Sequence, residues 1–149
     1  MGSAALVRDK IQRILVDEME LDVRLISEGF QVPYASTAVN IRVVEQGDGD
    51  ASRVLIKMWA PVLRNVNESA EVFRWIAVEG AVYTFGHACW NPDPQRPGVG
   101  MISFDHTLLG DYLDSEEMTT AIVALALTAD DLDDGLQPRF GGQRFIDGD

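Results

Sequence analysis

The chain has a single cysteine, Cys89, so no internal disulfide can form and the fold must hold by packing alone. No apolar run approaches the ~20 residues that a bilayer-spanning helix needs, so no membrane role is expected. The opening MGSAALVRDK lacks a signal-peptide apolar stretch, and with the lone thiol this points to a reducing cytoplasm. Cations are also scarce: 12 Lys and Arg stand against 24 Asp and Glu, a formal charge of −12. That field repels phosphates, so nucleic acid is not an expected partner. Motifs of covalent chemistry are missing too. There is no Gly-x-Ser-x-Gly, and neither Ser103 nor Cys89 sits at a strand-to-helix elbow. FGGQRF lacks both the lysine and the following helix of a phosphate loop. No close pair of ligands has metal-site spacing, so no cofactor or metal is expected and an enzyme is the weaker reading.

What the chain does contain is apolar patterning. With 46% hydrophobic residues in a length of 149, it is expected to form one soluble domain over residues 1–149, with a core from 4 to 142. Val7, Ile11, Ile14, Leu15, Met19, Leu21, Val23, Leu25 and Ile26 predict a long helix over 4–27, stopped by Gly29. Its apolar arc spans about 200°, with Glu18 and Asp22 near the middle. Either two apolar faces, one for the sheet and one for a partner, flank a wet seam, or a rotated helix carries two solvated acids.

Val39, Ile41 and Val43 alternate with Asn40 and Arg42, predicting a strand over 37–45. GDGDAS is a polar turn, and a second strand runs from Arg53 to Trp59, ended by Pro61. NESAEVFRWIAVEG predicts a second helix capped by Asn67 or Ser69, burying Phe73, Ile76 and Ala77. AVYTFGHACW and VGMISFDHTLL form another strand pair around NPDPQRPG. A last helix covers 115–136, capped by Ser115 with Glu116 and Glu117 in its first turn. The expected class is α+β: an antiparallel sheet of four to five strands with three helices, in the order α-β-β(-β)-α-β-β-α.

Three groups of residues are candidates for function. A hairpin centred near residue 96 would set His87 opposite His106 with Cys89 two positions along, a set of metal ligands and the basis of a sensor reading. A register slip of one separates them. TADDLDDGLQPRFGG holds Asp130, Asp131, Asp133 and Asp134, but an EF-hand placed on Gly135 has Leu132 at its third position and Gly141 at its twelfth. The calcium loop is therefore rejected. Met118, Ala121, Ile122, Leu125, Ala129, Leu132 and Leu136 make a narrow core stripe, leaving all four aspartates on an expected acidic surface before Pro138 and Gly141–Gly142 end the helix. Val123 and Leu127 lie beside the acids, either as a small partner patch or as tolerated surface residues. On the outer face of the second strand, Arg53, Leu55, Lys57 and Trp59 are candidate partner contacts, unless helices cover both faces of the sheet.

The chain resembles the YbjN-like domains, which share the type III secretion chaperone-like fold and are sometimes labelled bacterial sensory transduction regulators. The resemblance rests on EGFQVPY after a long first helix, RVLIKMWAPVLRNV, LLGDYLDSEEM before the last helix, and ADDLDDGLQPRFGG at its end. Where family members carry an Asn-rich LN-x-x-N segment, this chain reads WIAVEG, so no ligand role of those asparagines transfers. The resemblance implies a non-enzymatic peptide- or protein-binding domain, chaperone-like or regulatory and homodimeric. A homo-oligomeric structural protein without clients is the alternative.

Overall fold

Alternation, not helical spacing, governs the chain from Leu21 onward: Leu21, Val23 and Leu25 interleave with Asp22 and Arg24. In the computed structural model, which describes residues 3–27 and 29–148, the first helix accordingly stops short of the expected residue 27. Helix α1, Ser3–Gln12, widens into a π-helical stretch, Arg13–Glu18. Met19 N–H donates to Ile14 O at 2.8 Å, and Glu20 then takes a left-handed φ of 55° that turns the chain away. Two strands follow, β1 (Arg24–Ile26) and β2 (Gly29–Tyr34). The first lies where the expected helix ends, and together they raise the sheet to six strands among the described residues, above the expected four to five.

β3 (Thr37–Gln46) and β4 (Arg53–Asn67) pair antiparallel as expected, with Asn40 opposite Trp59 and Gln46 opposite Arg53. β4 does not end at Pro61. It continues with register shifts between Pro61 and Leu63 and between Leu63 and Val66, where a residue without an N–H can be accommodated. Thr37 Oγ1 donates to the Pro61 carbonyl at 2.7 Å, tying the irregular segment to β3. Helix α2, Ala70–Val78, starts at Ser69, whose hydroxyl accepts from Val72 N–H at 3.1 Å. Its buried residues are Val72 and Trp75; Phe73 and Ala77, expected inside, are exposed, while Ile76 is half-buried. Ser69→Ala should lower stability by about 1 kcal/mol in a thermal melt, because one first-turn N–H loses its acceptor.

β5 (His87–Pro92) and β6 (Val99–Leu109) complete a sheet of order β1-β2-β3-β4-β6-β5, antiparallel throughout. Helix α3 spans Ser115–Phe140. Its N-cap is Asp114 rather than Ser115: the Asp114 carboxylate accepts from Glu117 N–H at 2.7 Å. Ser115 instead donates to Glu18 at 2.8 Å, linking the two helices. Pro138 lies inside the last helical turn, so the glycines alone end the element, with Gly141 at φ 72°.

The core lies between one sheet face and the helices. Val39, Ile41 and Val43 of β3, Val54, Ile56 and Met58 of β4, and Ile102 and Phe104 of β6 are buried there. They meet Ile11 and Leu15 near α1 and Met118, Ile122 and Leu125 of α3. α2 joins the same layer: Phe73 meets Trp90 edge-on at 5.4 Å, and Trp75 meets Phe140 of α3 at 6.4 Å. Each fully buried Ile, Leu or Met contributes roughly 1.5–3 kcal/mol of transfer free energy. The three α-helices pack on this side; on the opposite face Arg42, Lys57, Arg53 and Leu109 are exposed, whereas Asn40 and Ser103 are buried. No helix among the described residues is long and apolar enough to cross a membrane.

Candidate functional site

Strand parity fixes which side chains share the open face. One row across the sheet runs Arg24, Gln31, Asn40, Trp59, Asp105, His87. The next runs Ile26, Gly29, Arg42, Lys57, Thr107, followed by Val44, Leu55, Leu109 and then Gln46 with Arg53. Arg53, Leu55, Lys57 and Trp59 therefore stand together on the uncovered side, as strand alternation predicts. Arg53 and Lys57 are exposed, Leu55 and Trp59 half-buried, and Leu109 is 51% exposed. Gln31 Nε2 donates to Asn40 Oδ1 at 2.9 Å, bracing the floor beside Trp59. Arg24, Arg42, Val44 and Leu109 are the members of this surface that reasoning along one strand misses, because only cross-strand pairing brings them in.

The histidines do not face each other. His87 is opposite Asp105, and His106 is opposite Met58 on the helix side, so the actual register differs by one residue from that expected. His106 lines a cleft of about 420 Å³ with Phe85, Leu108 and Thr120, and its pKa is lowered by burial and then by the charge of His87. Burial first, then the charge and hydrogen bond of Asp105, push the Cys89 thiol up to about 11, away from the thiolate a metal would take. Among the described residues no three His, Cys, Asp or Glu side chains gather as metal ligands. The sensor built on His87, Cys89 and His106 thus lacks its geometry.

The four aspartates do not form one acidic surface. Asp131 and Asp134 are exposed, and Asp134 pairs with Arg144 at 3.3 Å. Asp130 is half-buried and Asp133 is fully buried, at 0% exposure. Both reach Ser36 in the turn between β2 and β3. Asp130 Oδ1 accepts from Ser36 N–H at 3.1 Å and lies 2.5 Å from Ser36 Oγ, which also contacts Asp133 Oδ2. A hydroxyl has one proton to donate. Serving two carboxyl groups at once therefore requires a proton on one of them. Burial, the largest effect, with Asp134 and Asp130 adding, pushes Asp133 up to about 6, against the opposing pull of Ser36 and Arg144. Below about pH 6 the protonated partner is thus Asp133, whose Oδ1 makes no hydrogen bond. Ser36 is buried and bonded to both carboxyl groups, so the cluster pins α3 to the turn.

Val123 and Leu127, 44% and 45% exposed, do line a feature. With Ile122 they face Val32, Pro33 and Tyr34 across an apolar groove of about 140 Å³, one helical turn from the Ser36 cluster.

The described residues thus form an α+β layer whose helices lie on one sheet face and whose other face is amphipathic. The sequence matches, over residues 3–148, the family TY-Chap1, described as T3SS (YopN, CesT) and YbjN peptide-binding chaperone 1. The chain belongs to this family, one of chaperones and not of enzymes. Its fold is similar to the crystal structure of YbjN from E. coli, with a TM-score of 0.62 at 10% identity, covering 89% of this chain and 93% of that one. No curated protein sequence matches the chain.

Proposed function

We propose that this protein is a non-enzymatic peptide- or protein-binding module, chaperone-like or regulatory, acting as a homodimer in the cytoplasm. The observation that carries the reading is the sheet face opposite the three α-helices, where half-buried Trp59 and Leu55 stand beside exposed Lys57 and Arg53. Half-exposed Trp next to cations is the composition of a contact surface. The groove at Val123 and Leu127 adds a place for one apolar anchor of the same client. Family membership supports the reading, since the family is described as peptide-binding.

Affinity capture with quantitative mass spectrometry, comparing the wild type with Trp59→Ala and with Leu127→Asp, tests it. Trp59→Ala should lower recovery of the retained proteins about tenfold, a loss of ~1.4 kcal/mol. Identical partners in identical amounts from all three would remove both surfaces from consideration. Light scattering decides between client binding and a structural homo-oligomer: a tight dimer that retains nothing favours the latter.

A further inference from the structure

The open face is basic in a protein that is otherwise strongly acidic. Carboxylates outnumber cations two to one in the chain, 24 to 12. Yet among the described residues the strand register sets Arg24, Lys57 and Arg53 on this face with one carboxylate, Asp105. Among the described residues, Arg24, Lys57 and Arg53 form no ion pair; Arg53 donates only to the neighbouring Ser52 carbonyl, at 2.9 Å. Asp105 is engaged within its own strand, accepting from Ser103 Oγ at 2.6 Å. Beside these cations lies an apolar row, Val44, Leu55 and Leu109, with Trp59 on the other side.

Resting on the reading of this face as a client site, we infer that its client is an acidic segment, with Asp or Glu interspersed among apolar side chains. Carboxylates meet Lys57, Arg53 and Arg24, while the apolar residues cover Leu55, Trp59 and Leu109. A second copy of the chain does not fit face to face. A two-fold axis through this surface would press each set of cations against its own image. Nucleic acid offers negative charge, but the field of the whole molecule repels a phosphate backbone. A short acidic segment needs only the local face.

Fluorescence anisotropy with three labelled peptides, alternating leucine with glutamate, glutamine or lysine, tests the inference on the full chain. The glutamate peptide should bind about tenfold tighter than the glutamine peptide, and its affinity should fall as salt rises. Arg53→Glu with Lys57→Glu should remove that advantage while the melting temperature holds, since both side chains are exposed. Equal binding of the glutamate and glutamine peptides, or an unchanged advantage in the double variant, overturns the acidic client and leaves peptide binding standing. If no peptide binds, both readings fall. Displacement of the glutamate peptide by a single-stranded oligonucleotide, or self-association that the double variant abolishes, assigns the face to another occupant and overturns the inference as well.

Discussion

Phe104→Ala is expected to lower folding stability by about 3–5 kcal/mol, read as a shift of the urea midpoint at constant m-value. Phe104 is fully buried on β6, and its cross-strand neighbours are Ala60 on β4 and Ala88 on β5. One large ring flanked by two methyl groups fills the layer beneath α3. The fit extends to Gly86, where an added Cβ would stand 2.8 Å from the Phe104 ring and 3.0 Å from Leu125. Tyr83 closes the site, meeting the ring edge-on at 5.0 Å. Alanine at 104 therefore leaves a cavity walled by strand backbone that cannot collapse, which places the loss at the upper end of the large-to-small range. Phe104→Leu should cost well under half as much. A loss below about 1 kcal/mol for Phe104→Ala would show that this layer repacks. Phe104 points away from the open face, so residual binding by the folded fraction should be unchanged.

Period-2 patterning made the central hairpin legible. Val39, Ile41 and Val43 opposite Ile56 and Met58 are where alternation puts them, and the same parity places Arg53, Leu55, Lys57 and Trp59 on one outer face. The one-sided helical layer could not be anticipated, because which face a helix covers is a tertiary choice. The first helix was overextended because Leu21, Val23, Leu25 and Ile26 can be fitted to either period when taken together with the helical residues before them. Long-range pairing decides for strand: Leu25 aligns with Phe30, and Gln31 with Asn40. The expected His87–His106 pair failed by one residue of register, which alternation along either strand cannot detect. The aspartates failed differently. A helical projection assigns Asp133 to the wet side by its charge, but its position is next to Leu132 and Leu136, at the margin of the core stripe. What brings it inside is Ser36, 97 residues away in sequence, and no local pattern announces that partner.

That buried carboxyl makes the fold sensitive to pH in the direction opposite to most aspartates. Asp133 titrates near 6 in the folded protein against an ordinary 3.8, so the native state holds the proton more tightly than the unfolded chain. Its contribution to stability is complete below 3.8 and is lost as pH rises through about 6. At full value the shift corresponds to about 3 kcal/mol; with Arg144 nearby, about 1–3 kcal/mol is the expected range. Asp133→Asn presents an amide that donates to Ser36 Oγ as the protonated acid does, leaving the Ser36 proton for Asp130. The variant should match the wild type near the acid end of this window, be more stable by that amount well above pH 6, and show a flatter stability profile between. Ser36→Ala, by contrast, removes the bridge and should destabilise at every pH by about 1–3 kcal/mol, since two carboxyl groups lose their shared partner. Parallel profiles for wild type and Asp133→Asn across the window would mean that Asp133 carries no extra proton. The cluster holds α3 to the turn that follows Tyr34.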